Sequence, residues 1–276
     1  MVDAICNKTE WPEYRPRCLR DLYNLLGFSD ASVEWIEVAV RHLEHEYTFG
    51  GNPRMYMLAE EYKVRVNPID LKRVSVRWSS LQILSVYQFA EWFLDQFRRE
   101  HPRNIREKKD GEDLLSYTLD AFNIRKVDFG QLEYDVLDYY RRVRNHLLHT
   151  AIEPQKKTDI TQLENIQQLI KESQYSKLLA PNRIESLCFD DFILFSRVLK
   201  HAACTICTLA CPTTEEFFLL IQKEYKLLQV LNAEKDSECR LKAKLTSFLH
   251  MNFGLKNTAD KICVKLLEEM RLLAQR

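Results

Sequence analysis

Arg144, Asn145 and His149 are the residues whose types and spacing best suit chemistry in this chain. On a helix, Asn145 and His149 lie four residues apart and share one face. Arg144 falls on an otherwise apolar face, where an isolated guanidinium costs on the order of several kcal/mol to desolvate and needs an anion or water. A histidine can exchange a proton with a hydroxyl, and an arginine can stabilise charge on a phosphorane. The group therefore suits cleavage of a phosphodiester.

Charged side chains nearby complete this candidate site. Arg141 and Arg142 lie within one turn of it, and together with His146 they are candidates for contacts to RNA. His146 also fits a surface or interface histidine, because it points away from the face that carries the asparagine. Glu91, or Asp95 one turn later, interrupts an apolar helix face and is expected to pair with the motif arginine or to orient the site. A buried ion pair without a catalytic part is the alternative that the residues leave open.

A second cluster carries possible metal ligands. His201, Cys204, Cys207 and Cys211 recur every three or four residues and would form one stripe on a helix. Four ligands on one straight helix spread over about three turns and cannot converge on a single ion. The stripe is therefore expected to be part of a packed core, and neither a metal nor a cofactor is implied. The eight cysteines are expected to be reduced.

The elements that must position these residues are expected to be helices nearly throughout. Glycine (6) and proline (8) are scarce in the 276 residues, and strong helix formers are plentiful. Residues 55–78 allow either two short strands around Asn67 and Pro68 or a helix from Met55 to Lys63. A capping box at Thr213 and Glu216 predicts the start of a helix to about residue 232. The other predicted helices are 15–26 closed by Gly27, 29–47, 79–100, 112–122, 131–150, 161–172, 184–210, 236–251 and 258–275.

The overall charge does not favour a nucleic-acid or membrane surface as a partner. Forty basic side chains balance forty acidic ones, so any contact with RNA has to be local. The first residues lack a basic and apolar leader, and no run of 18 apolar residues occurs. These features predict a cytoplasmic protein without a membrane segment.

The run Arg-Asn-His-Leu-Leu-His at 144–149 resembles the Arg-x4-6-His motif of the HEPN superfamily, in which asparagine often follows the arginine. In that superfamily the motif ends the third main helix of a four-helix bundle. An acidic residue in an aromatic setting precedes it, and a long apolar helix follows. Segments of these three kinds occur here in the same order, at 89–94, 139–149 and 192–201. The resemblance covers roughly residues 75–212.

The resemblance implies a metal-independent endoribonuclease with a HEPN-like four-helix core and helical additions at both ends. Such proteins are typically homodimers that act in toxin–antitoxin, CRISPR-associated or phage-defence systems, where an inhibitor or defence partner binds them. Arg144, Asn145 and His149 match the motif as catalytic residues, and Glu91 matches loosely. Some of these toxins are silenced by adenylylation of a tyrosine two residues after the histidine. Ala151 stands there in this chain, so that form of silencing is not expected.

Three ranges follow from this interpretation. Residues 1–74 form an N-terminal helical extension, 75–212 the HEPN-like bundle and 213–276 a C-terminal helical accessory region. Two alternatives to an enzyme stay open. Inactive members of the superfamily bind nucleotides or proteins, and a bundle with helical flanks can also serve as a subunit of a larger defence assembly.

Overall fold

The protein is all-helical wherever its structure is described. A computed structural model describes residues 13–50, 52–67, 71–103, 105–149, 160–217, 219, 238–255, 262–265 and 267–268. Every regular element in these ranges is a helix, and no strand occurs among them. The all-α prediction is confirmed.

Residues 214–217 and 262–265 are helical, and nine further α-helices have described bounds. They are α1 Arg17–Gly50, α2 Asn52–Glu61, α3 Leu71–Glu100, α4 Leu114–Ala121, α5 Lys126–Phe129, α6 Gln131–His149, α7 Ile160–Lys171, α8 Phe189–Leu209 and α9 Glu238–Phe253. A short 3-10 turn, Ile184–Ser186, precedes α8. The predictions for α6, α7 and α9 agree with these bounds to within two residues.

The first helix corrects the prediction of two helices separated at Gly27. α1 runs through Gly27 without a break for 34 residues. Leu22 and Leu26 are fully buried and Val33 is 4% exposed, so one apolar face continues on both sides of the glycine. Packing along such a face outweighs the roughly 1 kcal/mol by which glycine disfavours a helix.

The segment 55–78 resolves in favour of helices. α2 covers Met55, and α3 begins at Leu71, so the alternation Val74 to Trp78 belongs to a helix and the strand alternative is wrong there. The stretch from Tyr62 to Val66 forms a turn and an irregular segment. Lys63 has a positive φ of 55° and ends α2 in a left-handed conformation.

The chain divides into two compact units, and each is built from separated segments. Unit 1 consists of Met1–Tyr23, Ala90–Gln131 and Lys200–Arg276. At its core, the Tyr14 ring packs within 6.4 Å of four aromatic rings, measured between centroids. Those rings belong to Phe97, His101, Phe217 and Phe253.

The predicted capping box is present in unit 1. The Glu216 amide donates to Thr213 Oγ1 at 3.2 Å, and the Thr213 amide donates to Glu216 Oε2 at 2.9 Å. Most of the helix predicted to follow it, up to residue 232, lies outside the described residues. The same holds for most of the helix predicted at 258–275.

Unit 2 consists of Asn24–Phe89 and Leu132–Leu199. Within it, the rings of Tyr140 on α6 and Phe195 on α8 stack with centroids 4.7 Å apart. Ser196 on α8 donates to the Asp30 carboxylate on α1 at 2.7 Å. Segments of α1, α6 and α8 thus share one core, in which Val143 and Phe192 are fully buried.

α8 is long and apolar enough to cross a membrane by length and composition. Of its most apolar window, 72% is buried inside the protein, which is typical of a core helix. The division of the chain into an N-terminal extension (1–74), a HEPN-like bundle (75–212) and a C-terminal accessory region (213–276) stays a prediction.

Candidate functional site

α6 presents the candidate residues at the end of a buried apolar stripe. Val136, Tyr140 and Val143 are fully buried, whereas Leu148, on the same face, is 46% exposed. Arg144 lies between these two regions and is half-buried. The stripe that it was predicted to interrupt therefore ends close to the arginine, and this part of α6 meets solvent.

The Arg144 guanidinium contacts a tyrosine ring and a neighbouring side-chain amide. Its central carbon lies 5.1 Å from the centroid of the Tyr87 ring, and Nη1 donates to Asn145 Oδ1 at 3.0 Å. A ring face attracts a cation by about 0.5–1 kcal/mol at an exposed site. A planar cation held in this way is suited to an oxyanion such as a phosphate.

Arg141 and Arg142, the predicted RNA contacts, both bind Asp138 on the preceding turn. The Nε atoms of the two arginines lie 2.9 Å from the two carboxylate oxygens of Asp138. Burial tends to raise the pKa of Asp138, but the two guanidinium groups outweigh it and lower that pKa. A phosphate would therefore have to compete with the Asp138 carboxylate for these two guanidinium groups. This role of Asp138 was missed from the sequence. The signal was present, because residues three and four apart on a helix pair readily.

The remaining predicted site residues are only partly described. His146 is half-buried on α6, and His149 is the last residue of that helix, with a side chain outside the described part. Glu91 belongs to unit 1 and Arg144 to unit 2, so their pairing stays a prediction. Asp95, the alternative acid, is bound on its own helix by Arg98 at 2.7 Å and Arg99 at 2.8 Å.

A buried carboxylate, Asp191, was also missed from the sequence. It is fully buried and accepts hydrogen bonds from Tyr140 Oη, Asn182 N, Asn182 Nδ2 and Cys188 N, all at 2.8–2.9 Å. Burial raises the pKa of Asp191, and these donors oppose the shift. The donors engage both carboxylate oxygens, so this network joins α6 to the loop before α8. Its only sequence signal is an acidic residue beside Phe192 in the first turn of an apolar helix.

The packed role predicted for the cysteine stripe holds for Cys204 and Cys207 but not for Cys211. Cys204 and Cys207 are buried, and Cys204 Sγ lies 3.0 Å from Tyr23 Oη. Cys211, at the end of the stripe, is exposed. In the ranges that the structure describes, no three His, Cys, Asp or Glu side chains are placed to share a metal ion.

Comparisons with known proteins identify no relative of this chain. The chain matches no protein-family model, and neither a curated protein nor a solved structure shows significant similarity to it. The interpretation of the site therefore rests on its residues and their geometry.

Proposed function

We propose that this chain is a metal-independent endoribonuclease of the HEPN type, which acts as a toxin or phage-defence effector. The observation that carries the proposal is the Arg144 guanidinium, which Tyr87 and Asn145 orient where the buried stripe of α6 ends. The HEPN-like core would include α3, α6 and α8, which hold the three segments of the resemblance. An arginine placed in this way can receive a phosphate from solvent.

The proposed reaction is an attack of the ribose 2′-oxygen on the adjacent phosphorus. His149 removes the 2′-hydroxyl proton as the new P–O bond forms, or donates a proton to the 5′-oxygen as the old P–O bond breaks. Arg144 stabilises the negative charge that accumulates on the phosphoryl oxygens. The products are a 2′,3′-cyclic phosphate and a 5′-hydroxyl. Asn145 holds the arginine, and Glu91 orients the site.

The partners belong to the same proposal. The substrate is RNA, the chain acts in the cytoplasm as a homodimer, and an inhibitor or another defence protein controls it. His146 and the pair Arg141 and Arg142 would contact RNA. An RNA phosphate would gain access to this pair by displacing Asp138, whose side chain is 13% exposed.

A second candidate is a non-catalytic module that binds nucleotides or proteins within a larger defence assembly. The observation that favours it is the double ion pair at Asp138, which balances part of the charge of Arg141 and Arg142. A weaker local field reduces the attraction for a long polyanion. The oriented Arg144 would still bind a single phosphate.

The decisive experiment is digestion of RNA in EDTA by the full chain, with analysis of the new ends. We expect cyclic phosphate ends, and a loss of rate of about 100-fold or more in both Arg144→Ala and His149→Ala. Arg183→Ala and His250→Ala are matched controls, because both residues are exposed and lie outside the candidate site. Circular dichroism checks that every variant folds.

Three outcomes would contradict the enzyme proposal. They are 3′-hydroxyl ends, a strict metal requirement, and full cleavage by a folded His149→Ala protein. Binding of RNA or a nucleotide without cleavage, lost in Arg144→Ala and kept in His149→Ala, would support the second candidate.

A further inference from the structure

The outer face of α1 is apolar and exposed in the part that belongs to unit 2. Phe28 and Trp35 are each 79% exposed and Val38 is 65% exposed, although Val33 on the other face of the same helix is 4% exposed. Ala31 is also exposed and lies between the two aromatic residues. Contiguous apolar side chains of this size on a protein surface usually mark an interaction site.

The spacing along this face is that of a helix-pairing seam. Six exposed residues recur at alternating intervals of three and four, which is the heptad pattern of two helices packed side by side. They are Phe28, Ala31, Trp35, Val38, His42 and His45. We call these six residues the α1 seam. None of these six residues belongs to the buried face of α1, so the α1 seam is accessible to another helix.

Charges beside the α1 seam are complementary when the seam meets a copy of itself in the antiparallel direction. In that register Trp35 lies opposite Val38, Ala31 opposite His42, and Phe28 opposite His45. Glu34 then faces Arg41 of the other copy, and the twofold axis repeats this pair. Both residues are exposed.

The parallel direction fits the seam less well. It places Trp35 against Trp35 and His42 against His42, so large side chains meet large ones and titratable ones meet titratable ones. Glu34 then faces the uncharged Ala39. The antiparallel direction therefore gives better complementarity of side-chain size and of charge than the parallel direction.

We propose that the α1 seam is a dimer interface in which two copies of this chain pair through antiparallel α1 helices. Arg41 donates from Nε to Glu37 at 2.8 Å on its own helix, which uses one of the five N–H donors of a guanidinium. Its guanidinium carbon also lies 5.8 Å from the centroid of the Phe189 ring on α8. Trp35 and Phe28 are the aromatic anchors that contribute most to such interfaces. The interface does not depend on the ribonuclease proposal.

The length of the α1 seam determines how tightly the two copies are expected to bind. From Phe28 to His45 the helix extends about 27 Å, which is less than the usual length of a stable coiled coil. We therefore expect a concentration-dependent dimer with a dissociation constant in the micromolar range rather than a permanent one.

Sedimentation velocity of the full chain, from about 1 to about 100 µM, tests the interface directly. We expect the mass to rise from 32.8 kDa toward twice that value across the series. Trp35→Lys should stay monomeric, whereas Val127→Lys, which changes a residue 75% exposed on α5, should dimerise as the wild type does. Because Trp35 is exposed, its replacement should leave the far-UV circular dichroism spectrum unchanged.

Charge reversal tests the antiparallel register. Glu34→Arg alone and Arg41→Glu alone should each weaken the dimer at least tenfold, because like charges then face each other. The combined variant Glu34→Arg/Arg41→Glu should recover the wild-type dissociation constant. A monomeric wild type at every concentration, or equal effects of Trp35→Lys and Val127→Lys, would overturn the interface. No effect of Glu34→Arg would overturn the antiparallel pairing.

Discussion

His101 and Arg144 are two basic residues whose side chains differ in exposure and surroundings. Arg144 lies over an aromatic ring at a partly exposed position. His101 is 5% exposed, in a cage formed by Tyr14, Phe97 and Phe122. Its Nε2–H donates to the Ala210 carbonyl at 2.7 Å, and Nδ1 accepts from the Arg103 amide at 3.1 Å. Both ring nitrogens are satisfied in the neutral form, and a second ring proton would meet the N–H of Arg103.

This environment makes the stability of the protein depend on pH. Burial, the largest cause, lowers the pKa of His101 from 6.5 to about 4, although the bond to Ala210 opposes the shift. The unfolded chain binds a proton near pH 6.5 and the folded chain does so only near pH 4, so stability is lost as the pH falls between these values. We expect the free energy of unfolding to fall by about 2 kcal/mol between pH 7.5 and pH 5 because of His101.

The variant His101→Gln tests this pH dependence. A glutamine can keep one donor and one acceptor but cannot titrate. Urea unfolding at both pH values should show a smaller loss of stability in His101→Gln than in the wild type. His250→Gln on α9 is the control and should follow the wild type, because His250 is exposed. Equal pH dependence in wild type and His101→Gln would refute the prediction.

At the scale of elements, two glycines illustrate opposite requirements of the backbone. Gly27 lies within α1, with a helical backbone and no atom within 4 Å of the place where a Cβ would be added. Gly254 follows α9 with a φ of +66°, and an added Cβ there would lie 2.7 Å from Arg15 Cβ. The first position tolerates a side chain, and the second does not.

Alanine substitutions should therefore change stability in opposite directions. Gly27→Ala should raise the free energy of unfolding by about 0.5–1 kcal/mol, because alanine loses less backbone entropy in a helix. Gly254→Ala should lower it by about 1 kcal/mol or more through left-handed strain and the close contact with Arg15. Urea unfolding of both variants measures the two effects. A destabilised Gly27→Ala protein would show that α1 is not continuous at this position.

The sequence predicted the helical class and the position of α6, because periodic apolar positions and turn residues carry that information locally. The prediction was wrong at Gly27, where the helix continues because Leu22 and Leu26 before the glycine and Val33 after it are buried on one face. At the site, the sequence identified Arg144 as a cation on an apolar face. It could not identify Tyr87 as the platform for that cation, because their contact joins residues far apart in the chain. The Asp191 network depends on the loop before α8 in the same way.

At the scale of the whole molecule, both compact units draw on chain segments outside the range that resembles the HEPN superfamily. Unit 1 takes Leu19 and Leu22 from α1, both fully buried. It also takes Phe217 and Phe253 from beyond residue 212, and their rings pack on Tyr14. Unit 2 takes Val33, which is 4% exposed, from the other part of α1. The range 75–212 therefore contains only part of each core.

We expect the isolated fragment 75–212 to lack a cooperative fold, even though it contains all of the candidate site residues. Each large apolar side chain removed from a core costs about 1.5–3 kcal/mol of burial, and the loss of several exceeds the roughly 5–15 kcal/mol by which domains are stable. Urea unfolding followed by circular dichroism should give one sigmoidal transition for the full chain and a gradual, non-cooperative change for the fragment. A sigmoidal transition of the fragment would instead identify 75–212 as an autonomous domain, because its helices would then need no apolar contacts from α1 or from the segments after residue 212.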